Sequence, residues 1–137
     1  MKKVNLIFKN DLAELQKVSE GLEGFLDNEG VSGEDVFTVH LILEEMLSNV
    51  IKYAFKDSDR HDITLEVCVE EKKLKIIIED EGIEFNPLSV PKKKTDAPIH
   101  EREIGGLGIH LVKNMVQHMS YCRENGKNHL ELVIRTE

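Results

Sequence analysis

The sequence predicts an α+β fold, a two-layer α/β sandwich in which three helices cover one face of a mixed, mainly antiparallel sheet. Three observations point there. Five segments alternate apolar and polar residues with the period of a strand, and three others repeat apolar residues every three or four positions. Their order is strand, helix, helix, two strands, helix, two strands, without the regular alternation of a doubly wound sheet. Elements with one apolar face each must bury it against a second layer. The 137 residues suit a single domain, 1–137, able to build a core without disulfides or a structural metal.

The first strand runs through Val4, Leu6 and Phe8, with Ile7 breaking the alternation. Asn10 or Asp11 can cap the helix that follows, whose Leu12, Leu15, Val18, Leu22, Phe25 and Leu26 share one face up to a stop between Asn28 and Gly33. The second helix extends from about Gly33 to Phe55, with Glu34 and Asp35 in its first turn, where negative charge suits the helix dipole. At roughly 100° per residue, Val36, Val39, His40, Leu43, Leu47, Val50, Ile51 and Ala54 form its core stripe. Thr38, Glu45, Asn49 and Lys52 fall opposite, interrupted by Leu41, Ile42 and Tyr53, and such a mixed face needs a cover. Asp62 to Glu70 and then Leu74, Ile76 and Ile78 make a hairpin that reverses at Glu71-Lys72-Lys73. The polar stretch from Pro87 to Glu103 is too long to be a plain connector. Leu107, Leu111, Val112, Met115, Val116 and Met119 give a third helix, and Met119 to Arg123 with Leu130, Leu132 and Ile134 give a last hairpin around a Glu124 to Asn128 turn.

Composition excludes several classes. No apolar run approaches the ~20 residues that span a bilayer, so no membrane association is expected. The opening Met-Lys-Lys-Val-Asn lacks the apolar core of a signal peptide, which points to a cytoplasmic protein. A formal charge of −8 opposes nucleic-acid binding, since Lys92 to Lys94 is the only basic cluster. Six histidines show no zinc-ligand spacing, and Cys68 and Cys122, in apolar strand-like stretches, read as buried free thiols.

Three places could carry chemistry. Glu45 and Asn49 lie one turn apart on one side of a helix, where a carboxamide oxygen can hold hydrated magnesium and a carboxylate can take a proton. Asp80 ends an apolar strand, where a carboxylate can accept the exocyclic amine of adenine, and Gly82 leaves room for a ring. Gly105, Gly106 and Gly108 open a helix whose bare N–H groups suit an anion. Taken singly, these also fit a solvated face, a turn and a helix entry. A helix end gives roughly 0.3–1 kcal/mol and micromolar binding needs about 8 kcal/mol, so a nucleotide site must combine them. Neither a P-loop nor a strand-linked GxGxxG is present.

Leu43-Glu44-Glu45-Met46-Leu47-Ser48-Asn49, Asp80-Glu81-Gly82-Ile83-Glu84-Phe85-Asn86-Pro87 and Gly105-Gly106-Leu107-Gly108-Ile109, in that order, closely resemble the GHKL superfamily of ATP-binding domains with the Bergerat fold. Within it the chain looks most like bacterial anti-sigma-factor serine kinases and related small regulatory ATP-binding proteins. The resemblance implies a Mg-ATP-dependent serine/threonine kinase acting on an anti-sigma-factor antagonist of the STAS type, with a sigma factor as a further partner and a homodimer as the assembly. It implies Asn49 as the magnesium ligand and Glu45 as general base. Asp80 and Gly82 would meet the adenine, and Gly106, Leu107 and Gly108 the phosphates. Lys52 or Tyr53 would be a further phosphate contact, and residues from about 88 to 104 the ATP lid. Glu84 stands where the family's second glycine would be, and its charge there opposes the triphosphate. A non-catalytic nucleotide-sensing module that sequesters a sigma factor or other regulator is the alternative. All these residues are expected to converge on one triphosphate.

Overall fold

The computed structural model describes residues 2–57, 59–89 and 104–136. Strands β1 (Lys2–Lys9), β2 (Asp62–Glu70), β3 (Lys73–Asp80), β4 (His118–Glu124) and β5 (Lys127–Arg135) form one sheet in the order β1-β2-β3-β5-β4. Every neighbouring pair among the described residues is antiparallel, so the sheet is not mixed. The connections explain this. Helices α1 (Glu14–Asn28) and α2 (Gly33–Asn49) carry the chain away and back, so β2 starts at the end where β1 stopped. Helix α3 (Ile104–Met115) followed by β4 does the same between β3 and β5.

Strand residues two apart share a face, and one face is closed. Phe8, Ile63, Leu65, Val67, Leu74, Ile76, Ile78, Leu130, Leu132 and Ile134 are buried in one cluster with Leu22 and Leu26 of α1, Ile42 and Met46 of α2, and Ile109 and Val112 of α3. Burying each such side chain contributes roughly 1.5–3 kcal/mol. The opposite face is half-exposed and carries ion pairs such as Lys75–Glu131 at 3.6 Å.

Local differences from the sequence reading have physical causes. Helix α1 starts at Glu14 rather than beside Asn10. The Asp11 carboxylate accepts from Ala13 N–H at 3.0 Å in the turn before it, Asn10 Oδ1 is taken by His61 N–H at 2.7 Å, and Leu12 is left exposed. Helix α2 is central, between α1 and α3, and is therefore buried over a wider arc than one stripe. Ile42, Met46 and Asn49, read as lying outside the stripe or left unassigned, are buried, while His40 and Ile51 are half-buried. The helix also stops at Asn49, and Val50–Ala54 form a π-helical turn. Ser48 Oγ and Asn49 Nδ2 both donate to the Glu45 carbonyl, at 3.1 and 2.7 Å, and so compete with the backbone for it.

Helix α3 ends at Met115 instead of continuing through Met119. Gln117 N–H donates to Val133 O at 2.7 Å, which draws the chain into β4. The last reversal is tighter than Glu124 to Asn128: Asn125 (φ 54°) and Gly126 (φ 77°) turn alone, as left-handed pairs favour in hairpins. Glu71 and Lys72 (φ 62°) turn the other hairpin, with Lys73 already in β3. Cys68 is buried as expected, but Cys122 is exposed, because it points outward from edge strand β4.

Candidate functional site

Helix α2 begins at Ser32, whose hydroxyl oxygen accepts from Asp35 N–H at 3.2 Å, and three turns later it presents Glu45 toward α3. The two helices meet closely there. A Cβ built on Gly108 would lie 1.5 Å from Glu45 Oε1, so only glycine admits the carboxylate at this point. Oε1 is buried and has no hydrogen-bond partner among the described residues. Burial pushes the Glu45 carboxyl above the ordinary glutamate range. The neighbouring Asn49 amide and the Lys52 charge pull it back, and the Glu44 charge adds to the rise. An orphaned, desolvated carboxylate oxygen is poised to take a proton or meet a cation.

Asn49 is 4 % exposed. Its Nδ2 is committed to the Glu45 carbonyl, leaving the carboxamide oxygen as the group it can offer a metal. Among the described residues no three His, Cys, Asp or Glu side chains gather as a metal site.

Asp80 continues the inward alternation of Leu74, Ile76 and Ile78 to the end of β3, and is 5 % exposed. Its Oδ1 accepts from Gly82 N–H at 2.8 Å and from Asn128 Nδ2 at 2.9 Å. Burial raises the Asp80 carboxyl, and the Asn128 amide, the Gly82 N–H and the Arg123 charge hold it down. Gly82 makes a close backbone approach through its missing side chain. A Cβ there would lie 2.4 Å from Ala54 O, and Ile83 N–H donates to the same carbonyl at 2.7 Å, so the glycine ties the Asp80 turn to the end of the π-helical segment.

The expected residues surround two depressions rather than one. Asn49, Asp80 and Ile109 line a small hollow of about 20 Å³ walled by Phe85, Pro87 and Tyr121. That is room for about one water molecule, so a purine enters only if these walls move. Glu45, Lys52 and Gly108 line a larger depression of about 870 Å³ between α1, α2 and α3. The Glu45–Gly108 contact stands between them, since the helix neighbours Asn49 and Ile109 face the small hollow. Tyr53 is exposed, its ring centroid 6.5 Å from that of Phe85, on the side of the small hollow. Glu84 is exposed and does not line the small hollow. Gly106 and Leu107 lie in the first turn of α3, and the expected lid falls outside the described residues except for the 3-10 turn Pro87–Ser89.

The sequence reading missed Asn128, Tyr121 and Arg123. Asn128 is buried and bonds Asp80, while Arg123 donates to Gly82 O at 2.7 Å. A signal was available: Asn128 occupies the inward register of Leu130, Leu132 and Ile134, and a carboxamide at a core position needs partners.

A family described as the histidine kinase-like ATPase domain matches residues 8–134. The chain is 28% identical over 111 residues to the serine-protein kinase RsbW of Listeria monocytogenes, covering 77% of this chain and 69% of that protein. It is 27% identical over 96 residues to the serine/threonine-protein kinase BtrW of Bordetella bronchiseptica, covering 70% and 68%. Its fold resembles the solved RsbU and RsbW domains of Rv1364c from Mycobacterium tuberculosis, with a TM-score of 0.70 and 12% identity over 99% of this chain and 33% of that one.

Proposed function

The chain belongs to the histidine kinase-like ATPase domain family, and from that premise we propose that residues 1–137 form one kinase domain that binds Mg-ATP and phosphorylates a serine or threonine of a regulatory protein. The partner we propose is an anti-sigma-factor antagonist of the STAS type. Relatives named as serine-protein kinases support the reaction class. The observation that carries the assignment is the buried Glu45 Oε1, without a hydrogen-bond partner among the described residues, one turn from Asn49 and against Gly108. Glu45 takes the proton of the attacking hydroxyl as its oxygen bonds to the γ-phosphorus and ADP leaves with the bridging oxygen. The raised Glu45 carboxyl is a better proton acceptor than an exposed one.

Asn49 would hold magnesium, which when bound supplies charge that offsets the phosphates. N–H groups of Gly106, Leu107 and Gly108 at the start of α3 would face the phosphates, with Lys52 at the edge of the same depression and Tyr53 nearer the base. Asp80 would accept the 6-amino group of adenine, and Gly82 shapes the turn that holds it. Residues 88–104 would close over the nucleotide. A sigma factor as second partner, a homodimer and a cytoplasmic location belong to the same proposal.

Purified protein incubated with labelled ATP and its antagonist transfers label in this reading. Glu45→Ala lowers transfer by roughly a hundredfold or more, the usual weight of a general base. Transfer undiminished in that variant removes Glu45 from the chemistry. Glu84, standing where the family's second glycine would be, favours one alternative, a nucleotide-sensing module that sequesters a regulator. Capture of a sigma factor without transfer to any antagonist would replace the kinase reading with it.

A further inference from the structure

We propose that Asn128 is the residue that sets base specificity: its amide turns the Asp80 carboxylate so that the site accepts a 6-amino purine and rejects a 6-oxo purine. The inference rests on the ATP reading above and goes beyond it by naming the group that makes Asp80 selective.

All four hydrogen-bonding positions of the Asn128 carboxamide are used. Nδ2 donates to Asp80 Oδ1 at 2.9 Å and to Ile83 O at 2.7 Å. Oδ1 accepts from Phe85 N–H at 3.2 Å and from the Tyr121 hydroxyl at 2.5 Å. A flipped amide would set oxygen against two acceptors and nitrogen against two donors, so the orientation is determined. Strand register delivers the group there, because Asn128 pairs with both Asp80 on β3 and Arg123 on β4.

The consequence falls on Asp80. With Asn128 and the Gly82 N–H both donating to Oδ1, that oxygen carries no proton, and Oδ2 is the one left to meet a ligand in the hollow that both side chains line. Arg123 Nη1, bonded to Gly82 O, adds positive charge nearby. Once ionised, above its burial-raised titration, Asp80 can only accept. Adenine offers a 6-amino donor, whereas hypoxanthine and guanine offer a 6-oxo acceptor that an ionised carboxylate repels.

Asn128→Asp reverses this with almost no change of shape. Two carboxylates about 2.9 Å apart do not both stay ionised, so the pair retains a proton, which a 6-oxo ligand can draw onto Asp80 Oδ2 and so be met by a donor. The test is calorimetric binding of ATP and of inosine triphosphate, which differ at the 6-position in this respect, to the full chain and its variants. The wild type should prefer ATP with a ratio flat between about pH 6 and 8. Asn128→Asp should reduce that ratio by roughly tenfold or more, the worth of one hydrogen bond to a charged group. The variant's ratio should climb with pH as the shared proton is lost. Tyr121→Phe, which frees one side of the Asn128 oxygen, should lower the ratio by a smaller factor, and it carries the test if Asn128→Asp does not fold.

A merely structural Asn128 would weaken both nucleotides together, and an unchanged ratio in the variants overturns the proposal. Equal binding of both nucleotides by the wild type overturns it as well, while leaving nucleotide binding intact. Binding of neither removes the ATP reading and this inference with it.

Discussion

Gly82 and Gly108 look alike in the sequence, as glycines where a nucleotide could approach, yet the neighbours that need the missing Cβ differ in kind. At Gly82 the obstacle is backbone, Ala54 O at 2.4 Å, whereas at Gly108 it is the far end of the Glu45 side chain. A side chain can swing aside; a carbonyl at the end of a helix cannot. Gly82→Ala is therefore expected to destabilise by about 1–3 kcal/mol, as overpacking does. Gly108→Ala is expected to lose less than about 1 kcal/mol and still to lose phosphate transfer, because Glu45 is displaced. Thermal unfolding of the two variants, alongside labelled-phosphate transfer, checks this, and a larger loss of stability at position 108 would refute it. The residue types of the candidate site were legible from motif order. Which atoms the glycines make room for was not, because that depends on which segment packs against them.

At the scale of elements, α2 shows where periodicity is sufficient and where it fails. Its start was readable from Glu34 and Asp35 in the first turn, and the structure adds a Ser32 cap that accepts from Asp35 N–H. Ser32→Ala should lower stability by about 1 kcal/mol, measured by urea unfolding with an unchanged dependence on denaturant. No measurable loss would mean that the cap is dispensable. The end was not readable, because a 3.6-residue repeat extrapolates straight through the π-helical turn Val50–Ala54. That turn follows from the Ser48 and Asn49 side chains reaching the Glu45 carbonyl. In the same way Val116 and Met119 continue the apolar spacing of α3 in sequence, but the sheet recruits the chain from Gln117 onward.

For the whole molecule, burial has a pH signature. Asp80 and Glu45 are both raised by burial, so the folded state binds protons more tightly at these groups than the unfolded chain does. Their contribution to stability is full below the ordinary carboxylate range and is lost as pH rises through the folded values. Asp57 runs the other way: its carboxyl is lowered by the His61 hydrogen bond, and its contribution is lost on acidification. Asp80→Asn isolates one buried group. The melting temperature of wild type minus that of the variant should fall as pH rises above about 4, the ordinary carboxylate value. A difference that stays flat or grows over that range would show that Asp80 is not held above its unfolded value. Such tension between a buried charge and stability is expected where function needs the charge.

The sequence by itself determined the layer arrangement, the existence of the five strands and three α-helices among the described residues, and the residues on which the family resemblance rests. Alternation and helical spacing are local properties that hydrophobic burial enforces wherever the chain folds. Only the tertiary structure decided the all-antiparallel pairing, the partition of the expected site into two depressions at the Glu45–Gly108 contact, and the place of Asn128 beside Asp80. Those features depend on register between segments far apart in the chain, here Asp80 and Asn128, which no local pattern encodes.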